Sequence, residues 1–107
     1  MYENRSCTCK SVVAMDAIND VIRFLRYQTE ELSKPSKLAK ELIDEQVRSA
    51  LNAVRDAEQV CNLDMEDVKA EINSANLTFK SNRLFTSLDH AFNAKAKFET
   101  KICKTGV

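Results

Sequence analysis

The chain has one glycine, one proline, one histidine and no tryptophan among its 107 residues. So little glycine and proline excludes collagen-like chains, glycine-rich phosphate loops and most all-β sandwiches. A single histidine leaves most histidine-based catalytic arrangements without material. No stretch approaches the roughly 20 apolar residues that span a bilayer. Net charge is absent too: sixteen basic and sixteen acidic side chains cancel, so the sum names no partner. The start, Met1-Tyr2-Glu3-Asn4-Arg5, lacks the basic-then-apolar order of a secretory signal. Taken literally this gives a cytoplasmic protein, or a secreted one if the chain is a trimmed mature form.

What is present is helical spacing. After an irregular lead-in over residues 1–10, Val13, Ala17, Val21, Phe24 and Leu25 recur at steps of three and four, widened by Ile18, Ile22 and Leu32. This predicts a first helix over about 11–33. Ser33-Lys34-Pro35-Ser36 ends it, because proline lacks a backbone donor and disfavours helix in the residue before it. A second helix over 37–61 carries Ile43, Val47, Ala50, Val54, Ala57 and Cys61 on a heptad seam, broadened by Leu38, Leu42 and Leu51. A third, over 64–77, opens on Asp64 as cap with Glu66 and Asp67 at its positive end, and Leu63 and Val68 stand at staple positions. Residues 78–83 read as a loop. A fourth helix over 87–103, capped by Thr86 or Ser87, places Leu88, Ala91, Phe92, Lys95, Phe98 and Ile102 at helical spacing. Four helices with short links predict an all-α fold, a small four-helix up-down bundle in one domain, 1–107.

The cysteines are Cys7, Cys9, Cys61 and Cys103. An even count in a small domain raises the disulfide reading, and four cysteines allow three pairings. Since an up-down bundle brings both chain ends to one end of the molecule, Cys103 is expected to pair with Cys7 or Cys9 if the chain is oxidised. Asn4-Arg5-Ser6 and Asn76-Leu77-Thr78 match the glycosylation triplet, which fits a secreted chain. The competing reading is reduced thiols. Zinc is not expected, since Cys7-Thr8-Cys9 lacks the usual ligand spacing. His90, beside Asp89, has no paired nucleophile and reads as a surface or capping residue.

Charge is unevenly placed. Residues 54–75 hold six acids and two bases, net −4, whereas residues 76–107 hold two acids and six bases, net +4. The basic segment also holds four of the five phenylalanines, Phe79, Phe85, Phe92 and Phe98. Such interleaving can serve nucleic acid, but a whole-chain pI near 6.6 favours an amphipathic helix.

Glu30 and Glu31 close the first helix, and Glu41 and Asp44 lie one turn apart on the second. Four carboxylates on facing helices could hold magnesium for cleavage of a phosphate ester or anhydride. Through Gln28-Thr29-Glu30-Glu31-Leu32, Glu41-Leu42-Ile43-Asp44, Asn62-Leu63-Asp64-Met65-Glu66-Asp67-Val68 and Asn76, the sequence resembles MazG-like nucleotide pyrophosphohydrolases. The resemblance spans roughly half the chain. It implies an all-α enzyme with Mg2+ on Glu30, Glu31, Glu41 and Asp44. The sequence departs from that pattern at Lys34 and Arg48, where acids are expected and cations would repel the metal.

With no credible nucleophile, phosphate loop or intact metal cluster, the leading expectation is a small non-catalytic helical module that binds another protein. It has no catalytic residues and no cofactor. Partner contact is expected at Phe79, Arg83 and Phe85, with Phe79 held outside the core by the irregular stretch 78–83. The alternatives are a divergent or degenerate pyrophosphohydrolase using Mg2+, and a secreted disulfide-tied binding protein. Nucleic acid and membrane are not expected as partners, and self-association stays open.

Overall fold

The computed structural model describes residues 5–7, 12–31 and 35–105; for 5–7, 31 and 103–105 it describes the backbone alone. Four helices follow one another: α1 (Val12–Glu31), α2 (Lys37–Cys61), α3 (Glu66–Lys80) and α4 (Leu84–Ile102). Each helix contacts the next and α4 contacts α1, closing the ring of an up-down bundle. Within the expected irregular lead-in, Arg5–Cys7 forms a short strand, β1, antiparallel to β2 (Cys103–Thr105), with Cys7 opposite Cys103. This ribbon lies at the end of the bundle where α2 finishes and α3 begins.

The seam on α2 is buried as its spacing predicts: Ile43, Val47, Ala50, Val54 and Ala57 enter the core with Ile18, Val21, Leu25, Val68, Ile72, Ala91 and Phe98. The small Ala50 and Ala57 let neighbouring helices approach, while Phe79 and Phe98 fill the wider spaces. Four apolar positions depart from the predicted stripes. Val13 is exposed, and so are Leu38, at 63%, and Leu42. A stripe read from steps of three and four is wider than the arc that two neighbouring helices can cover, so its outer residues stay in water. Phe92, placed on the buried side by its spacing, is 42% exposed for the same reason.

The helix ends correct the predicted boundaries. The chain has one glycine, the residue that most often closes a helix in the left-handed conformation, and uses asparagine instead. Asn62 (φ 54°) ends α2 and Asn82 (φ 66°) follows α3. In both places the next residue donates back five positions, Leu63 N to Glu58 O (3.2 Å) and Arg83 N to Thr78 O (2.8 Å). α3 therefore runs through 78–80, where a loop was expected. Thr78 stays helical by donating its hydroxyl to Ser74 O (2.7 Å), and Phe79 anchors the last turn. α4 starts at Leu84, so neither Thr86 nor Ser87 caps it; Ser87 is fully buried and donates to Ala75 O (2.6 Å). At the start of α2 the proline signal is borne out: Ser36 caps the helix, its Oγ accepting from Ala39 N (3.1 Å). Leu32, Ser33 and Lys34 lie outside the described residues.

Candidate functional site

The three residues expected to meet a partner separate in the structure. Phe79 is 0% exposed and its ring lies against Phe24, with centroids 5.8 Å apart and planes at 51°. It is a core residue, not a free contact, because the helix continues past 77 and turns it inward. Phe85, one residue into α4, is 74% exposed. Arg83 is exposed in the turn, and among the described residues its side chain forms no ion pair. Arg83 and Phe85 thus stand together where α3 hands over to α4, at the end of the bundle remote from the ribbon.

The charge gradient is largely spent inside the molecule. Lys97 Nζ donates to Glu71 Oε2 (2.6 Å), Lys101 lies 3.5 Å from Asp67, and Lys80 donates to Asp44 Oδ1 (2.6 Å). The basic face of α4 and the acidic face of α3 form a seam between neighbouring helices. Glu71 also meets His90: Nδ1 lies 2.7 Å from Oε1, and since an ionised carboxylate only accepts, that nitrogen carries the proton. His90 is therefore half-buried within a three-member network rather than a surface or capping residue. The Lys97 ammonium, then the His90 ring, hold the Glu71 carboxyl below its usual range, against the effect of burial. Glu71 in turn raises Lys97. A shallow cleft of about 230 Å3 beside this seam, lined by Asp67, Ala96, Lys97, Thr100 and Lys101, draws its polarity from groups already paired.

Of the carboxylates named for magnesium, the described Glu30, Glu41 and Asp44 do not form a group with metal-ligand proximity. Glu30 and Glu41 are exposed, and of Glu31 the backbone alone is described. Asp44 accepts from Lys80 and from Asn76 Nδ2 (3.2 Å), which together hold its carboxyl below the usual range. An ammonium group thus occupies the one carboxylate that the structure sets beside Asn76. The amide nitrogen that a glycan on Asn76 would need donates one of its two hydrogens to this carboxylate.

Among the described residues, the grouping with metal-ligand proximity is Glu58, Asp64 and Glu66, whose ligand atoms lie within 4.8 Å of one another. Its geometry explains it as a helix start. Glu58 Oε2 accepts from Met65 N (2.8 Å) and Asp64 Oδ1 from Glu66 N (3.0 Å), which satisfies amides that open α3. Lys69 fills the middle, 2.7 Å from Glu58 and 2.8 Å from Glu66. Lys69 and the Met65 amide hold Glu58 low, and the two glutamates raise Lys69. α3 starts at Glu66 with Met65 at its N-cap, so Asp64, the expected cap, stands one residue before it; its carboxylate accepts from Glu66 N and shares the helix start with a residue of α2 that the local sequence does not reveal.

Cys61 is disulfide-bonded. The seam reading had treated it as one more apolar position and left it out of the expected pairings; the signal was the even cysteine count. Cys7 and Cys103 face each other in the ribbon, and Cys9 lies outside the described residues. Among the described residues, no helix is long and apolar enough to cross a membrane. Compared with family models, curated proteins and solved structures, the chain matches none.

Proposed function

We propose that this chain is a disulfide-tied helical module that binds another protein at the α3–α4 turn, through Phe85 set into an apolar pocket and Arg83 set against acidic groups. The observation that carries the reading is Phe85, a large aromatic ring 74% exposed on a rigid helix start while Phe79, six residues away, fills the core. Aromatic and arginine side chains dominate interface energies when a partner desolvates them. Arg83 strengthens the case because its neighbour Lys80 is ion-paired and Arg83 is not. The disulfide at Cys61 supports an oxidising compartment and hence a secreted protein, since cytosolic thiols are kept reduced. The arrangement around Asp44 offers no comparable support for magnesium-dependent hydrolysis.

The test is affinity capture from the native source with the chain, Phe85→Ala and Arg83→Glu as parallel baits, each first shown to unfold at the same temperature. The reading expects a defined protein recovered by the unaltered chain and depleted by both variants. Equal recovery by all three baits overturns it.

A further inference from the structure

We propose that the face shared by α1 and α2 docks a basic amphipathic helix of a partner protein. Its apolar side lies on Tyr27, Leu38 and Leu42, and its lysines or arginines meet Asp16, Asp20, Glu45 and Asp56. This surface is separate from the α3–α4 turn, and the proposal stands independently of the reading given for that turn.

Residues at alternating steps of three and four share one side of a helix. On α2 the positions 38, 42, 45, 49, 53, 56 and 60 form one such row. Asp44 and Glu58, which bond to Lys80 and Lys69 of α3, mark the flank of α2 toward α3. The row lies across the buried seam from them, on the flank toward α1. On α1 the positions 13, 17, 20, 24 and 27, with 16 beside 17, form the row that the same winding of the ring turns toward α2. Of the nine large apolar side chains exposed among the described residues, five belong to these two rows: Val13, Tyr27, Leu38, Leu42 and Val60. Ala17 and Ala53, both buried, stand between the apolar ends, and their small side chains leave the middle of the face shallow. Apolar side chains gathered in this way mark a contact surface, whereas scattered ones do not.

Charge names the occupant. The rows carry Asp16, Asp20, Glu45 and Asp56, all exposed, and no lysine or arginine. Asp20 pairs with Arg23 beside its row; among the described residues, Asp16, Glu45 and Asp56 form no ion pair. Carboxylates around an apolar strip attract a cation-flanked apolar surface and repel their own kind. Two copies joined through this face would set like charges against each other, and an anionic membrane surface is repelled as well. A straight face between two helices suits a third helix. From position 38 to 60 the α2 row runs about 33 Å, room for about 20 residues of helix.

The probe is a labelled peptide of about 20 residues, leucine and lysine at amphipathic helical spacing, followed by fluorescence anisotropy and circular dichroism. It should bind the unaltered chain, gain helix on binding and bind less tightly as salt rises. Leu38→Ser and Glu45→Lys, both at exposed positions, should each weaken it by about tenfold or more. Phe85→Ala should leave it unchanged, which separates failure here from failure at the turn. A scrambled peptide of the same composition that binds as tightly overturns the proposal, since charge alone would then suffice. So does undiminished binding by Leu38→Ser and Glu45→Lys. A dimer seen by sedimentation and dissociated by Leu38→Ser gives the face to a second copy instead, and binding to anionic phospholipid vesicles in place of the peptide gives it to a membrane; either result refutes the assignment.

Discussion

The two ends of the bundle are built on different principles. At one end, α2 finishes, α3 begins and the ribbon lies. There Cys61 is covalently tied, and Glu58, Asp64 and Lys69 hold the start of α3 through backbone and charged hydrogen bonds. At the other end, α3 turns into α4 over Ser81–Arg83 on backbone bonds alone, and α1 leads into α2 through Pro35 and the Ser36 cap. Apolar exposure differs in kind as well. The tied end shows the valines Val12, Val13 and Val60, whereas the turn end shows Leu38, Leu42, Leu77 and Phe85. A turn that needs no side chain for its own geometry leaves its side chains for other work. That is why Arg83 and Phe85 are available where Glu58 and Lys69 are not.

The sharpest way to break this comparison is to contrast two phenylalanines six residues apart. Phe79→Ala removes a fully buried ring and its contact with Phe24, and should cost about 3–5 kcal/mol, read as a fall in the urea midpoint. A small effect would mean that the turn end of the core is loosely filled. Next in size is the covalent tie. Cys61→Ser should cost about 2–4 kcal/mol under non-reducing conditions and nothing further on adding reductant beyond the loss of any remaining bond. If it is neutral, the tied end is held by its polar network and the disulfide is incidental to stability.

How much of this was legible in the sequence follows from which forces are local. The α2 seam and the boundary at Pro35 were readable, because both are set by residues within one or two turns of each other. The extension of α3 to Lys80 was not read, though its signal was present: in a chain with one glycine, Asn62 and Asn82 were the residues able to adopt the left-handed conformation that closes a helix. The site residues divide in the same way. The exposure of Phe85 agrees with its expected place outside the core, whereas the burial of Phe79 depended on that missed helix end. Glu58, eleven residues from Lys69, and Glu71, nineteen from His90, meet across helices. No spacing rule along one chain brings such pairs together.

Those cross-helix pairs predict a pH dependence of middling size. Glu58 and Glu71, ordinarily near 4.5, and Asp44, ordinarily near 3.8, are held lower in the folded chain by their lysine partners. On acidification the unfolded chain therefore takes up protons first. Their contribution is complete above the ordinary values and is lost as pH falls through the lower folded ones. Lys69 and Lys97 work in the opposite direction: raised above 10.5, they contribute fully below it and lose that contribution as pH climbs through the folded values. Urea midpoints should be flat in the neutral range and fall between about pH 5 and about pH 3. Glu58→Gln should lower the neutral midpoint and show a shallower acid fall. An unchanged acid slope would show that the tied end does not draw on Glu58.

The smallest expected effect on stability belongs to the turn. Phe85→Ala removes a ring that is mostly in water, and Arg83→Glu changes a side chain whose backbone alone closes α3 and opens α4. Each should stay within about 0.5 kcal/mol of the unaltered chain. A glutamate at the first turn of α4 would if anything be favoured by the positive end of the helix. Binding should respond in the opposite order. Phe85→Ala should weaken partner affinity by about tenfold or more, mainly through faster dissociation, because a truncated anchor leaves a partner pocket unfilled. Arg83→Glu should chiefly slow association, and more so at low salt, where charges on the two surfaces act over a longer distance. The comparison between the ends fails if Phe85→Ala lowers the unfolding midpoint as Phe79→Ala does, since the ring would then be supporting the turn it was taken to be free of.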